Sequence, residues 1–61
     1  MDFAYHFRIR VKTPDRKQSE ETMIVSETDS ELGESIATGK VVRYYENLRE
    51  EKKILEYRIM A

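Results

Sequence analysis

The stretch Phe3-Ala4-Tyr5-His6-Phe7-Arg8-Ile9-Arg10-Val11-Lys12 decides the fold. Phe3, Tyr5, Phe7, Ile9 and Val11 share one parity; Ala4, His6, Arg8, Arg10 and Lys12 share the other. A β-strand points successive side chains to opposite faces. The segment is therefore a strand with one apolar, largely aromatic face and one basic face. The apolar face needs a cover, and the rest of the chain is expected to supply it.

Thr13 to Ser19 is polar throughout and predicts a hairpin loop, with Pro14 suited to position i+1 of a turn and Asp15 able to bond its own backbone. Glu20 to Glu27 predicts the second strand, centred on Thr22, Met23, Ile24 and Val25. Registers with an even residue sum place Met23 and Val25 beside Phe7 and Ile9, and bring Glu20 or Thr22 opposite Arg10. They are favoured because they join apolar to apolar.

Thr28-Asp29-Ser30-Glu31 predicts a helix start, with Thr28 as N-cap and Glu31 at N3 of a capping box. Gly33, Ile36, Ala37, Val41, Tyr44 and Leu48 then recur at three- and four-residue spacing, an amphipathic helix of about five turns. Gly33 would let that helix approach a sheet closely. Gly39 could instead end it and split the segment.

The last third is open to more than one assignment. Leu55, Tyr57 and Ile59 alternate with Glu56, Arg58 and Met60, which predicts a third strand over 54–60. Yet residues 40–61 contain no Gly or Pro, so a β-hairpin followed by a long C-terminal helix is the alternative. A second hairpin beginning at Val41 to Glu46 is a further one. The preferred fold class is α+β: a small β-β-α-β domain spanning 1–61. It has a three-stranded, antiparallel-type sheet, with the first strand in the middle and one helix on one face. The expected core is Phe3, Tyr5, Phe7, Ile9, Val11, Met23, Val25, Ile36, Ala37, Val41, Tyr44, Leu48, Leu55, Tyr57 and Ile59. The opposite sheet face has no cover, and would carry His6, Arg8, Arg10, Lys12, Thr22, Ile24, Ser26, Ile54, Glu56, Arg58 and Met60.

Composition narrows the function classes. Sixty-one residues make one domain of marginal stability. With no cysteine, disulfides and thiolate metal sites are excluded. Self-association is the aid to stability still open to so small a chain, so a homodimer or higher oligomer is expected. Charged residues make up 38% of the chain, yet they sum to −1, so any electrostatic function must come from local segregation of charge. The first residues have neither a basic nor an apolar region of a signal peptide, and no apolar run approaches the ~20 residues of a membrane span. A cytoplasmic protein without membrane contact is expected. A short reading frame that opens with methionine suits a small regulatory or accessory protein of a microbe or phage.

Motifs for chemistry are weak. Gly33-Glu34-Ser35-Ile36-Ala37-Thr38-Gly39-Lys40-Val41 resembles a phosphate loop only superficially: the glycine spacing is one residue too long and Val41 stands where a hydroxyl would hold Mg²⁺. His6, the single histidine, would need an orienting carboxylate and a cleft to act as a base. No serine sits in a glycine-flanked elbow. No catalytic residue, metal or cofactor is expected, and the chain is not expected to be an enzyme.

The basic face is the best functional candidate. Alternate strand residues lie roughly 6.6–6.8 Å apart, which suits a phosphate track. However, nucleic-acid sheets place stacking aromatics on the exposed face, and here the aromatics have the opposite parity. Arginines mixed with Ile24, Ile54 and Met60 suit a protein interface better. Tyr45, expected to face outward beside Arg49 if Tyr44 packs inward, would add to it. The expected function is a small interaction module, an adaptor, inhibitor or assembly subunit, that binds another protein through the open face or the sheet edge. The expected contact residues are Arg8, Arg10, Lys12, Ile24, Tyr45 and Arg58. A weak nucleic-acid binder using Arg8, Arg10 and Lys12 is the alternative, and an internally paired, merely solvated face is the competing explanation.

Overall fold

A computed structural model describes residues 2–29 and 31–60. The elements are β1 (Phe3–Lys12), β2 (Gln18–Glu27), α1 (Gly33–Glu50) and β3 (Glu56–Met60). The sheet order is β2-β1-β3, and β1 runs antiparallel to both neighbours. This is the expected small α+β arrangement with the first strand central. Because 56–60 pairs with β1 and 41–46 lies inside α1, neither the long C-terminal helix nor a second hairpin forms.

The β1–β2 register has an even sum: Phe7 faces Met23, Tyr5 faces Val25 and Arg10 faces Glu20. The hairpin is tighter than its polar composition suggests. The Thr13 N–H donates to the Lys17 carbonyl at 2.9 Å and the Arg16 N–H donates to the Thr13 carbonyl at 2.8 Å. Arg16 adopts φ 66°, a left-handed residue closing a three-residue turn over Pro14-Asp15-Arg16. Asp15 accepts from the Thr13 hydroxyl and from the Lys17 N–H, and these bonds hold its carboxyl below the ordinary carboxylate range. The closure lets Gln18 pair with Lys12, so β2 begins two residues earlier than expected.

The helix starts later than its sequence signal. Thr28 forms no cap. Instead the Asp29 carboxylate accepts from the N–H groups of Glu31 and Leu32, both at 2.8 Å, and Leu32 holds the N-cap position without a side-chain bond. From Gly33 the helix continues through Gly39 to Glu50, 18 residues. A Cβ built on Gly33 would come within 2.7 Å of the Tyr5 hydroxyl, so the absent side chain there does permit close approach to the sheet; around Gly39 there is open space. At the C-terminus the Lys52 N–H donates to Arg49 and the Lys53 N–H donates to Leu48, with Lys52 at φ 61°. This is a Schellman-type stop with lysine in the place glycine usually takes.

The buried hydrophobic residues are Ile9, Val11, Ala37, Val41, Tyr45 and Ile54, with Phe7, Met23, Val25, Leu48, Tyr57 and Ile59 packed around them. Three expectations are corrected. First, Tyr45 is the inward tyrosine, 2% exposed, whereas Tyr44 is 50% exposed. The buried helix positions Gly33, Ala37, Val41 and Tyr45 step by four, a slanted stripe that leaves Ile36 and Tyr44 outside. Second, Ile54 is buried and Leu55 exposed. The chain is still turning there, and the Leu55 N–H donates to the Lys12 carbonyl at 2.8 Å, so strand alternation begins only at Glu56. Third, Phe3 lies at the exposed end of its face rather than in the core.

Candidate interaction face

Strand pairing places the candidate residues. On the sheet face away from the helix, β1 contributes Ala4, His6, Arg8, Arg10 and Lys12. Opposite them stand Ser26, Ile24, Thr22, Glu20 and Gln18 of β2, and on the other flank Met60, Arg58 and Glu56 of β3. Arg8, Arg10, Lys12, Ile24 and Arg58 are thus brought to one surface. Tyr45 is not: it belongs to α1 and its side chain is buried between helix and sheet, on the other side of the sheet, and so leaves the candidate set. Ile54 leaves the open face for the same reason, its burial against the core.

Glu20 organises the middle of this surface. Arg8 donates to it at 3.1 Å and Arg10 at 3.4 Å, and all three side chains stay substantially exposed. The hydrogen bond from Arg8, followed by that from Arg10, holds the Glu20 carboxyl below its ordinary value. Exposed pairs of this kind contribute little stability. Their effect is to set the direction of the guanidinium groups.

Arg10 faces Arg58 across the β1–β3 ladder, two like charges directly opposed, an arrangement that costs stability in a sheet. Lys12 faces Glu56. Four cations, Arg8, Arg10, Lys12 and Arg58, therefore share the face with two carboxylates, Glu20 and Glu56. Two shallow depressions flank Arg10. One, of about 310 Å³, is lined by Arg10, Lys12, Gln18, Glu56 and Arg58 among others. The second, of about 380 Å³, is lined by Arg10, Gln18, Ser19 and Glu20. Gln18 lines both, although the polar run from Thr13 to Ser19 predicts a loop there. The Pro14-Asp15 turn was the signal that could have extended the strand to include it. Ile24 is 60% exposed and faces His6, while the half-buried Met60 faces Arg8 on the other flank, so one apolar side chain stands on each side of the β1 row.

The polar groups on the helix side close the core instead. The Tyr45 hydroxyl donates to Glu21 at 2.9 Å and the Tyr57 hydroxyl to Glu46 at 2.8 Å, with the two rings stacked 5.5 Å apart. Burial, and then the Glu21 carboxylate, raise the Tyr45 hydroxyl's pKa well above the ordinary tyrosine value; burial and Glu46 raise that of Tyr57. Arg49 completes the group by donating to Glu46 at 2.6 Å. These tyrosines seal the seam between helix and sheet.

His6 lies exposed opposite Ile24. Among the described residues no three His, Asp or Glu side chains are grouped to hold a metal ion, and no helix is long and apolar enough to cross a membrane. Gly33 to Val41 is continuous helix rather than a strand-to-helix loop, so it offers no phosphate cradle. No family model matches the chain, and neither a curated protein nor a solved structure matches it.

Proposed function

We propose that the chain is a small non-enzymatic interaction module that binds another protein through the open face of its sheet. The observation that carries this reading is the composition of that face. It is a sheet surface with no second layer among the described residues, in which oriented arginines border exposed Ile24 and half-buried Met60. Arginine beside an exposed apolar side chain is the mixture that contact hot spots favour. The excess of cations over carboxylates suits a partner surface with an acidic rim, which would also relieve the Arg10–Arg58 opposition. Nucleic acid fits less well, because the face carries no Phe, Tyr or Trp on which bases could stack.

The test compares partner capture by the wild-type chain, by the face variant Arg10→Glu/Ile24→Asp, and by the helix-surface control Arg43→Glu. A partner retained by wild type and control but lost by the face variant supports the reading. Equal capture by all three removes it. Micromolar nucleic-acid binding that falls steeply with salt would replace it by the alternative.

A further inference from the structure

At one point the open face holds more positive charge than its own carboxylates answer. Arg10 of β1 and Arg58 of β3 stand directly opposite each other in the ladder. Opposed residues of an antiparallel pair have their Cβ atoms about 4.5–5.5 Å apart, so the two side chains rise from one spot. Among the described residues neither Arg58 nor Lys12 makes an ion pair, and Arg10 reaches Glu20 only at 3.4 Å. An anion seated between the two guanidinium groups would turn their repulsion into attraction.

The depression of about 310 Å³ offers that seat. Its polar lining is Arg10, Lys12, Arg58, Gln18 and Glu56. Three cations and one carboxylate leave two positive charges in surplus. Glu56 stands opposite Lys12, one ladder row from the arginines and roughly 6.6–6.8 Å along the strand. The depression on the other side of Arg10 has no surplus, because there Glu20 cancels Arg10.

We propose that the depression between Arg10 and Arg58 binds the dianionic phosphate of a phosphomonoester, with the two arginines as a clamp and Lys12 and Gln18 as further donors. A phosphomonoester carries close to two negative charges at neutral pH and three acceptor oxygens, which match the surplus of two and the several donors around it. Guanidinium forks suit phosphate oxygens in pairs. A single carboxylate would leave one cation unanswered, and so would the singly charged phosphodiester of a nucleic acid. The inference deepens the reading of the open face and rests on it for the source of the phosphate, a phosphorylated side chain of the protein partner. The site itself is tested without any partner.

Inorganic phosphate is titrated into the chain at constant ionic strength, with chloride as the balancing anion, and backbone amide shifts are followed. Saturable shifts should centre on Arg10 to Lys12, Gln18 and Glu56 to Arg58, and chloride alone should produce none. Arg58→Gln should weaken phosphate binding by about tenfold or more, as the loss of a charge-assisted hydrogen bond does. Glu56→Gln should tighten it, and Arg43→Gln, exposed on the helix, should leave it unchanged. A phosphoserine peptide then reads the source: tighter binding than inorganic phosphate assigns the site to a phosphorylated partner, and binding no tighter assigns it to a free phosphate compound. Absence of saturable shifts with inorganic phosphate overturns the proposal, as do shifts that Arg58→Gln leaves unchanged. Failure of partner capture with these shifts intact removes the protein-binding reading and leaves the phosphate site standing.

Discussion

The two halves of β1 have one sequence pattern and two fates. In Arg8–Lys12 the odd residues Ile9 and Val11 are 0% and 2% exposed, with strands on both sides and the helix above. In Phe3–Phe7 the odd residues are larger and more aromatic, yet Phe3 is 36% exposed and neither Tyr5 nor Phe7 is fully buried. Hydrophobicity did not decide burial here. The number of neighbouring strands did, because a side chain on a strand is covered from the sides as well as from above.

The largest expected effect tests that contrast directly. Ile9→Ala should cost about 2–5 kcal/mol, since it opens a cavity under both strands and helix. Phe3→Ala, although it removes a bigger side chain, should cost about 1 kcal/mol or less. Urea denaturation of both variants measures the difference, and equal costs would break the comparison.

Next comes the point where the helix meets the less covered half. Gly33→Ala places a methyl group against the Tyr5 ring and should cost about 1–3 kcal/mol. Gly39→Ala, facing open space on the same helix, should gain about 1 kcal/mol. Thermal melts of the two should move in opposite directions.

A smaller effect belongs to the well-covered half. Tyr45 bonds Glu21, which stands opposite Ile9. Burial raises the folded pKa of this hydroxyl, so the neutral form is favoured in the folded state. Its contribution is complete below the unfolded value near 10 and is lost as pH rises above that value toward the folded one. Stability should therefore decline in alkali, and Tyr45→Phe should flatten that decline; a pH series of urea midpoints reads both.

The smallest effect concerns Glu20. Its folded pKa is lowered, chiefly by Arg8 and then Arg10, so its contribution is present above about 4.5 and fades as pH falls through the folded value. Glu20→Gln should shift the denaturation midpoint only slightly and release Arg8 and Arg10. The double variant Glu20→Gln/Glu56→Gln should instead strengthen salt-sensitive binding of an acidic partner.

Much of the fold was legible because short periods are local. Alternation located β1 and favoured β3, and the mixed three- and four-residue spacing located α1. The even register followed from matching Met23 and Val25 to the apolar face of β1. The open face was legible for the same reason: once register parity is known, Arg8, Arg10, Lys12, Ile24 and Arg58 must share a surface. Tyr45 was misplaced because adjacent tyrosines lie about 100° apart on a helix, so either could continue the stripe. The inward one was chosen by what lies beneath it, the Tyr57 ring and the Glu21 carboxylate. Glycine at 33 marked a close approach, but its contact, Tyr5, is 28 residues away in sequence.

The sequence by itself therefore determined the first two strands, the helix and the division of β1 into an apolar and a basic face, since each depends on residues a few positions apart; that 56–60 forms a strand rather than a helix was decided by its pairing with β1. The tertiary structure decided which tyrosine seals the core, that Ile54 turns inward before β3 begins, and that β3 stops beside Arg8. Those outcomes depend on how far one element reaches along another, a distance set by the packing of the whole sheet and helix. That Phe3–Phe7 has, among the described residues, a neighbouring strand on one side only follows from that reach.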